Sequence, residues 1–121
     1  MATRELEVAV RVRDRAAVID LRGDLNALAE TALRDAYVEA SSGGTDSVVL
    51  NFAGADYINS SGIALIVGLL AQARTHGVEV SACGLSDHYR EIFEITRLSD
   101  FMTIVDNEDG AVTGAEGRKD A

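Results

Sequence analysis

This chain of 121 residues contains no proline and a single cysteine. Without proline, folding requires no cis-proline isomerisation step. Cys83 has no second cysteine with which to form an internal disulfide, which favours a reducing, cytoplasmic setting and a small buried thiol rather than a reactive one. No run of 18 or more apolar residues occurs, so the sequence predicts no membrane-spanning helix.

Positive charge is also scarce, with 11 Lys and Arg residues against 20 Asp and Glu residues and a formal net charge of -9. Nucleic-acid binding needs a surplus of Lys and Arg to neutralise phosphates, so the composition argues against a nucleic-acid partner. The acidity fits a partner with a basic surface, and it equally fits a protein that charge keeps in solution.

The residue patterns that catalysis and metal binding require are missing. The two histidines, His76 and His88, are not spaced as a metal pair, and the acidic cluster at Asp106, Glu108 and Asp109 lacks the other ligands of a calcium loop. There is no phosphate-binding Gly-x-x-x-x-Gly-Lys loop, and the serine segment at residues 58–62 lacks the glycine that a nucleophile elbow has two residues before its serine. The sequence therefore predicts no catalytic residues, no metal and no cofactor, and leaves a small hydrolase as the weakest hypothesis.

Hydrophobic periodicity predicts alternating strands and helices. Apolar residues alternate over residues 6–13, which indicates a half-buried edge strand, and a second strand follows at once, as in an antiparallel hairpin. Further strands are predicted at residues 47–52, 78–82 and 101–105, and helices after the caps Asn26 and Ser86 and over residues 60–76. This order predicts one α/β domain over residues 1–106, with a mixed, mostly parallel sheet of about five strands and helices packed against it. Residues 107–121 are predicted to form a short or frayed helix and a flexible tail.

For two of the helices, the sequence predicts which side chains face the core. In the first, residues Leu28 to Tyr37 place apolar side chains at three- and four-residue spacing toward the core. In the helix over residues 60–76 the predicted core stripe is Ile63, Ile66, Val67, Leu70 and Arg74. Leu65 and Leu69 fall off that stripe, so either a neighbouring helix covers them or they belong to a partner surface, beside the small residues Ala64 and Gly68.

The start of that helix reads Asn59-Ser60-Ser61-Gly62. Asn59 or Ser60 can accept a hydrogen bond from the free amides of the first turn, as an ordinary N-cap does. Spacing alone indicates nothing beyond such a cap.

Three motifs along the chain resemble those of STAS domains, and of anti-sigma factor antagonists in particular. Residues 48–63 are similar to an apolar strand followed by Asp-Ser-Ser-Gly-Leu at a helix start. Residues 21–26 resemble the family's Gly-Glu-Leu-Asp turn, and residues 83–98 resemble its Gly-Leu-Ser and Phe-Glu-Leu-Thr-Gly-Leu segments. The resemblance extends over about residues 6–106, so it implies a STAS fold for nearly the whole chain.

The resemblance also implies a non-enzymatic, cytoplasmic switch protein. Its partners would be an anti-sigma factor with serine kinase activity, which the unmodified form sequesters, and a phosphatase. Ser60 would be the phosphoacceptor, with Ser61 as the alternative. The implied partner-binding residues are Asp24, Asn26, Asn59, Ser60, Ser61, Gly62, Ala64, Leu65 and Gly68.

Two residues depart from the family pattern. Asn26 and Asn59 stand where the family has Asp, which keeps the capping oxygen and removes a charge at each position. A second hypothesis therefore stays open, in which the domain is a non-phosphorylated scaffold subunit of a larger signalling assembly.

Overall fold

The computed structural model describes residues 5–113. Five strands are β1 (Glu7–Arg13), β2 (Ala16–Leu25), β3 (Ser47–Ile58), β4 (Glu79–Cys83) and β5 (Thr103–Ile104). The helices are α1 (Glu30–Ser42), α2 (Ser60–His76), α3 (Asp87–Ile95) and a short α4 over residues 108–113. Single 3-10 turns at Ala27–Ala29 and Leu98–Asp100 precede α1 and β5.

The strands form one sheet in the order β1-β2-β3-β4-β5. β1 and β2 pair antiparallel as a hairpin, and each remaining neighbour pair is parallel, which confirms the predicted mixed, mostly parallel sheet with β1 at an edge. The parallel register places the ends of β2 and β3 side by side, with Leu25 opposite Ile58. This end of the sheet leads directly into the first turn of α2.

The sheet has two differently covered faces. On the face that we call the helical face, Ile19, Leu50 and Ala82 pack with the buried side chains of α1, α2 and α3 in the main hydrophobic core. On the opposite face, Val18, Val49 and Cys83 pack in a smaller cluster with Ala111 and Val112 of α4. The continuous apolar run in β3 follows from this, because successive side chains alternate between two buried faces.

Two strands are longer than predicted. β3 continues to Ile58, six residues beyond the strand predicted at residues 47–52, and β2 continues through Gly23 to Leu25. Irregular pairing at Asp20/Arg22 and at Gly23/Asp24, where Gly23 has φ 102°, lets the two strands stay paired over this stretch. The β3 extension is mostly exposed or half-buried and contains glycine and alanine, so it lacks the apolar alternation on which strand prediction depends.

The prediction for the start of the first helix is partly wrong. Asn26 caps the 3-10 turn rather than α1, and Leu28 in that turn is 86 % exposed instead of facing the core. Leu33, Ala36 and Tyr37 are buried as predicted. A 3-10 turn has about 3.0 residues per turn, so it rotates Leu28 away from the stripe that α-helical spacing would give.

The core-facing stripe of α2 is also rotated from its predicted position. Val67 is 49 % exposed, whereas Leu69 is 6 % exposed. Leu65 is half-buried against the main core. A neighbouring helix, α1, packs beside α2 and covers this side, so the first of the two alternatives is confirmed for Leu69.

The packed part of the chain extends beyond residue 106. Helix α4 buries Ala111 (1 % exposed) and Val112 (3 %) on the opposite face of the sheet. The rest of the predicted flexible tail, residues 114–121, lies outside the described residues. Among the helices of the described chain, none has the length and hydropathy that crossing a membrane requires.

Candidate functional site

The first turn of α2 is fixed by Asn59, which adopts extended backbone angles as an N-cap residue does. The Asn59 side-chain Oδ1 accepts a hydrogen bond from the amide of Gly62 at 2.9 Å. The Asn59 amide in turn donates to the carbonyl of Leu25, at the end of β2, at 3.2 Å. Asn59 therefore connects the sheet to the helix, and of the two capping candidates it is Asn59 rather than Ser60.

Gly62 is required by a close approach of α2 to β2. A Cβ atom at Gly62 would lie 2.1 Å from the carbonyl oxygen of Leu25, far inside van der Waals contact. Only glycine allows the helix to begin this close to the strand. The approach leaves Ser60 and Ser61 on the outer side of the first turn, and both are exposed.

The residues predicted from the β2 end lie at the same edge of the sheet. Asp24 is half-buried and pairs with Tyr57 across the parallel register. The Oδ1 of Asn26 accepts from the amide of Leu28 at 2.9 Å. Since the carbonyl of Leu25 contacts Asn59 and Gly62, the structure brings Asp24, Asn26 and the start of α2 to the same end of the sheet.

Two exposed apolar side chains at this edge were missed by the sequence analysis. Leu28 lies in the 3-10 turn that contacts α2, and Tyr57 lies two residues before Asn59. Their exposures are 86 % and 52 %. Large apolar side chains beside exposed serines offer a partner both buried apolar area and a polar contact. The 3-10 turn and the extended end of β3, which expose them, carried no clear signal in the sequence.

A hydrogen bond from α3 holds the end of β3 in position. The amide of Ile58 donates to the Tyr89 hydroxyl at 3.0 Å. Tyr89 follows the Ser86 cap of α3, whose hydroxyl accepts from the Tyr89 amide at 3.2 Å. The strand end that precedes Asn59 is therefore fixed from both sides, by β2 and by α3.

Further along α2 the predicted partner residues separate into two kinds. Ala64 and Gly68 are exposed, and they continue the outer surface that begins at Ser60 and Ser61. Leu65 is half-buried against the core, so only part of it is available to a partner. The part of the α2 surface that continues from Ser60 and Ser61 thus includes small side chains at Ala64 and Gly68.

A second polar cluster lies away from this site, on the opposite face of the sheet. Arg11 bonds Asp20 at 2.7 Å and Glu108 at 2.6 Å, and Arg13 bonds Glu108 at 2.8 Å and also Asp109. The Arg11 guanidinium is the main cause of the lowered pKa values of Asp20 and Glu108. We call these five residues the ion-pair cluster.

Cys83 lies close to that cluster. Asn51 donates from Nδ2 to Asp20 at 2.8 Å, and its Oδ1 lies 3.7 Å from the Cys83 sulfur. Burial, with smaller contributions from Glu108 and Asp20, raises the pKa of the thiol to about 11. Within residues 5–113, no group of three or more His, Cys, Asp or Glu side chains is arranged to hold a metal ion.

Known proteins resemble this chain in both sequence and fold. The Anti-sigma-B factor antagonist of Staphylococcus aureus is 26 % identical over 99 residues, which cover 82 % of this chain and 92 % of that protein. The crystal structure of an anti-sigma factor antagonist from Mycobacterium paratuberculosis superimposes with a TM-score of 0.80 at 14 % identity, over 93 % of this chain and 95 % of the other.

The Bacillus cell fate determinant SpoIIAA in its phosphorylated form has a TM-score of 0.65 at 22 % identity, over 89 % of this chain and 96 % of that chain. These structural likenesses establish the shared fold. The model of the STAS domain family matches residues 7–111, which is most of the chain. The chain is therefore a member of the STAS domain family.

Proposed function

We propose that this protein is an anti-sigma factor antagonist, which binds an anti-sigma factor when Ser60 is unmodified and releases it when Ser60 is phosphorylated. The observation that carries the proposal is the exposed Ser60 in the first turn of α2, beside the exposed apolar side chains of Leu28 and Tyr57. The Staphylococcus aureus relative, which bears the name Anti-sigma-B factor antagonist, supports the same partner class.

A phosphate on Ser60 would leave the fold intact. It adds about -1.5 to -2 charges near neutral pH. The N-terminus of a helix favours an anion by about 0.3–1 kcal/mol, and α2 has no acidic residue in its first turn to oppose it. The switch therefore acts on the contact with the partner and not on the stability of α2.

The contact itself would be strongly weakened. A partner that covers Ser60, Leu28 and Tyr57 removes water from this surface, and desolvating an unpaired dianion costs several kcal/mol. Each 1.4 kcal/mol is a tenfold change in affinity, so a loss of 100-fold or more is expected, roughly. The protein works by binding and not by catalysis, its kinase and phosphatase are separate proteins, and its site of action is the cytoplasm.

Calorimetric titration of the purified protein with the purified anti-sigma factors of its source organism tests this function. Wild type, Ser60→Ala and Ser61→Ala are expected to bind one of them equally, and Ser60→Glu to bind about 100-fold more weakly. Ser61→Ala is the matched control, since Ser61 is equally exposed one residue further on.

Mass mapping after incubation with that anti-sigma factor and ATP completes the test. Phosphate is expected on Ser60 in wild type and nowhere in Ser60→Ala. Absence of phosphate from Ser60, together with wild-type affinity of Ser60→Glu, would remove the switch from the proposal.

A second function is favoured by one observation, the neutral Asn59 where the family pattern has an acidic residue. If the kinase must recognise a carboxylate at position 59, it does not phosphorylate this domain. The domain is then a non-phosphorylated scaffold subunit of a signalling assembly. Its complexes would then keep the same affinity before and after phosphatase treatment, which size-exclusion chromatography of treated and untreated complexes measures.

A further inference from the structure

The β1 edge of the sheet has no partner strand within the part of the chain that the structure describes. The strand order places β1 and β5 at the two edges, and β5 has only two residues whereas β1 has seven. An edge strand presents a row of unpaired amides and carbonyls to which another strand can bond. β1 is therefore the long free edge of this sheet.

The hairpin of β1 and β2 determines which backbone groups of β1 point outward. Arg13 and Ala16 pair directly across a two-residue turn, so these two residues exchange both of their backbone hydrogen bonds. Bonded and non-bonded positions alternate along an antiparallel pair. The amides and carbonyls that point away from β2 are therefore those of Val8, Val10 and Val12.

The same three valines form an apolar row along the free edge. Val8 and Val10 are half-buried against the main core, and Val12 is 71 % exposed. Alternate residues of a strand share one face, so the row lies on the helical face of the sheet. Edge strands are commonly protected by charged side chains or proline, and this row contains neither. The row is therefore suited to pairing with another apolar strand.

The charges along β1 favour a second copy of the same strand as that partner. Over residues 5–13 the acidic residues Glu5 and Glu7 come first and the basic residues Arg11 and Arg13 come last. A parallel pair of such strands would place like charges side by side, whereas an antiparallel pair places the acidic half of each strand beside the basic half of the other. β1 is therefore complementary to itself in the antiparallel direction.

The ion-pair cluster leaves these charges able to take part in the contact. Arg13 uses one N–H group for Glu108 and another for Asp109, which leaves three of the five N–H donors of a guanidinium, and its side chain is 39 % exposed. Glu7 is exposed and forms no ion pair with any residue of the described range. A carboxylate of a second copy can therefore bond Arg13 without displacing α4.

The register of the pair follows from the same pattern. Pairing Val10 with Val10 of the second copy aligns the whole of β1 and brings outward-pointing backbone groups together. Val8 then lies opposite Val12 of the second copy, and each valine pair exchanges two backbone hydrogen bonds. Glu7 lies opposite Arg13 of the second copy. This register covers the exposed Val12 side chain and pairs the opposite charges at once.

We propose that two copies of this chain pair antiparallel through β1, centred on Val10, and so join their sheets into one continuous sheet across a two-fold axis. The strands contribute few residues a side, against the roughly 20–30 of a standard interface, so the dimer is weak and depends on concentration. The pairing uses no residue of the surface around Ser60, so it does not rest on the proposed function.

Disulfide trapping of single-cysteine variants tests the pairing and its register. Val10→Cys lies on the two-fold axis, where the two Cα atoms would be about 5.5 Å apart and within reach of a disulfide. We expect Val10→Cys to form a covalent dimer under mild oxidation about tenfold faster than Val12→Cys. Val12→Cys is the matched control, because position 12 is the more exposed of the two but is separated from its own copy by about 13 Å in this register. The native Cys83 is buried and common to both variants.

Sedimentation velocity over a series of rising protein concentrations measures the dimer without trapping. Val12→Lys places a charge against Val8 of the second copy, and we expect it to raise the dissociation constant tenfold or more. Ile95→Lys is the matched control, because Ile95 is 72 % exposed and lies at the end of α3, and we expect a change below twofold. Val12→Pro removes an outward amide and leaves the bonds to β2 in place, so we expect the same loss of dimer with a thermal unfolding midpoint close to that of wild type.

The outcomes separate this dimer from other contacts. Selective trapping of Val10→Cys, together with loss of the dimer in Val12→Lys, supports pairing through β1. A dimer that persists unchanged in Val12→Lys and Val12→Pro would show that the copies meet through another surface, and the proposal would be wrong. Sedimentation as a monomer at every concentration, with Val10→Cys trapped no faster than Val12→Cys, would overturn it as well.

Discussion

The two faces of the sheet are held by different forces. On the helical face, α1, α2 and α3 bury a continuous apolar core that includes Phe52 and Phe93, whose rings meet edge to face at 5.6 Å. On the opposite face, Ala111 and Val112 of α4 pack in a small cluster, and Glu108 at the start of α4 bonds Arg11 and Arg13 of β1.

This difference separates the part of the molecule that positions the site from the part that does not. Apolar burial contributes about 25 cal/mol per Å² of buried area and is not screened by salt, whereas partly exposed ion pairs contribute about 0–1 kcal/mol each and are screened. We therefore expect substitutions on the helical face to act on global stability. Changes on the opposite face should act on the docking of α4.

The largest effect is expected from Gly62→Ala, at the junction of α2 and the sheet. The new Cβ would clash with the carbonyl of Leu25, and a strand and a helix must separate to admit it. We expect a loss of about 3 kcal/mol in the free energy of unfolding, measured by urea denaturation.

Gly68→Ala is the matched control for this change, because it makes the same substitution six residues later in open space. Equal stability of the two alanine variants would contradict the close approach of α2 to β2.

The rate at which Cys83 is labelled tests how well the opposite face of the sheet is covered. Its thiol is 1 % exposed and its pKa is raised to about 11, so little thiolate exists at pH 8. We expect labelling by a disulfide reagent to be at least about 100-fold slower in the native protein than in the urea-unfolded chain, where the pKa is about 8.5.

Repeating the Cys83 labelling at high ionic strength tests whether ion pairs hold α4 against the sheet. If α4 is held mainly by ion pairs, salt of about 1 M should raise the labelling rate of Cys83 while the urea midpoint changes little. A labelling rate that follows only global unfolding would show that both faces open together.

Glu108→Gln is expected to have a smaller effect on stability. Glu108 accepts from both Arg11 and Arg13, and its side chain is 21 % exposed, so losing its charge should lower the free energy of unfolding by about 1 kcal/mol at low salt. Glu91→Gln, at an exposed position of α3, serves as a charge-matched control.

The effect of Glu108→Gln should depend on pH. The Arg11 and Arg13 guanidiniums lower the pKa of Glu108 in the folded state. Its ionised form therefore contributes stability above the unfolded pKa of about 4.3, and that contribution is lost as pH falls through the lower folded pKa. Wild type and variant should converge in urea midpoint below about pH 4, and a constant difference down to pH 2 would contradict the ion pairs.

The sequence predicted more of the helical face than of the opposite one. Apolar periodicity and caps predicted the element order, and the motifs located the start of α2 and the β2 end beside it. Periodicity could not place Leu28, because a 3-10 turn changes the rotation per residue. It also could not show that the short helix predicted after residue 106 packs on the sheet, since Ala111 and Val112 alone make no amphipathic stripe, and Arg11 and Glu108 meet across 97 residues of chain.

The smallest effect is expected from Asn59→Asp, which restores the acidic residue of the family pattern. Asp and Asn are about equal as caps, so only the added charge matters, and it gains at most about 0.3–1 kcal/mol from the helix N-terminus at low salt. Acidic Asp24 at the same end of the sheet opposes it, so the gain should be a few tenths of a kcal/mol and vanish in high salt. Urea midpoints at low and high salt measure this, with Asn59→Ala, which loses the bond to the Gly62 amide, as the control. If Asn59→Asp leaves stability nearly unchanged but raises the rate of phosphate transfer to Ser60, the charge at position 59 acts on the kinase. A gain well above 1 kcal/mol would instead mean that electrostatics also govern the helical face.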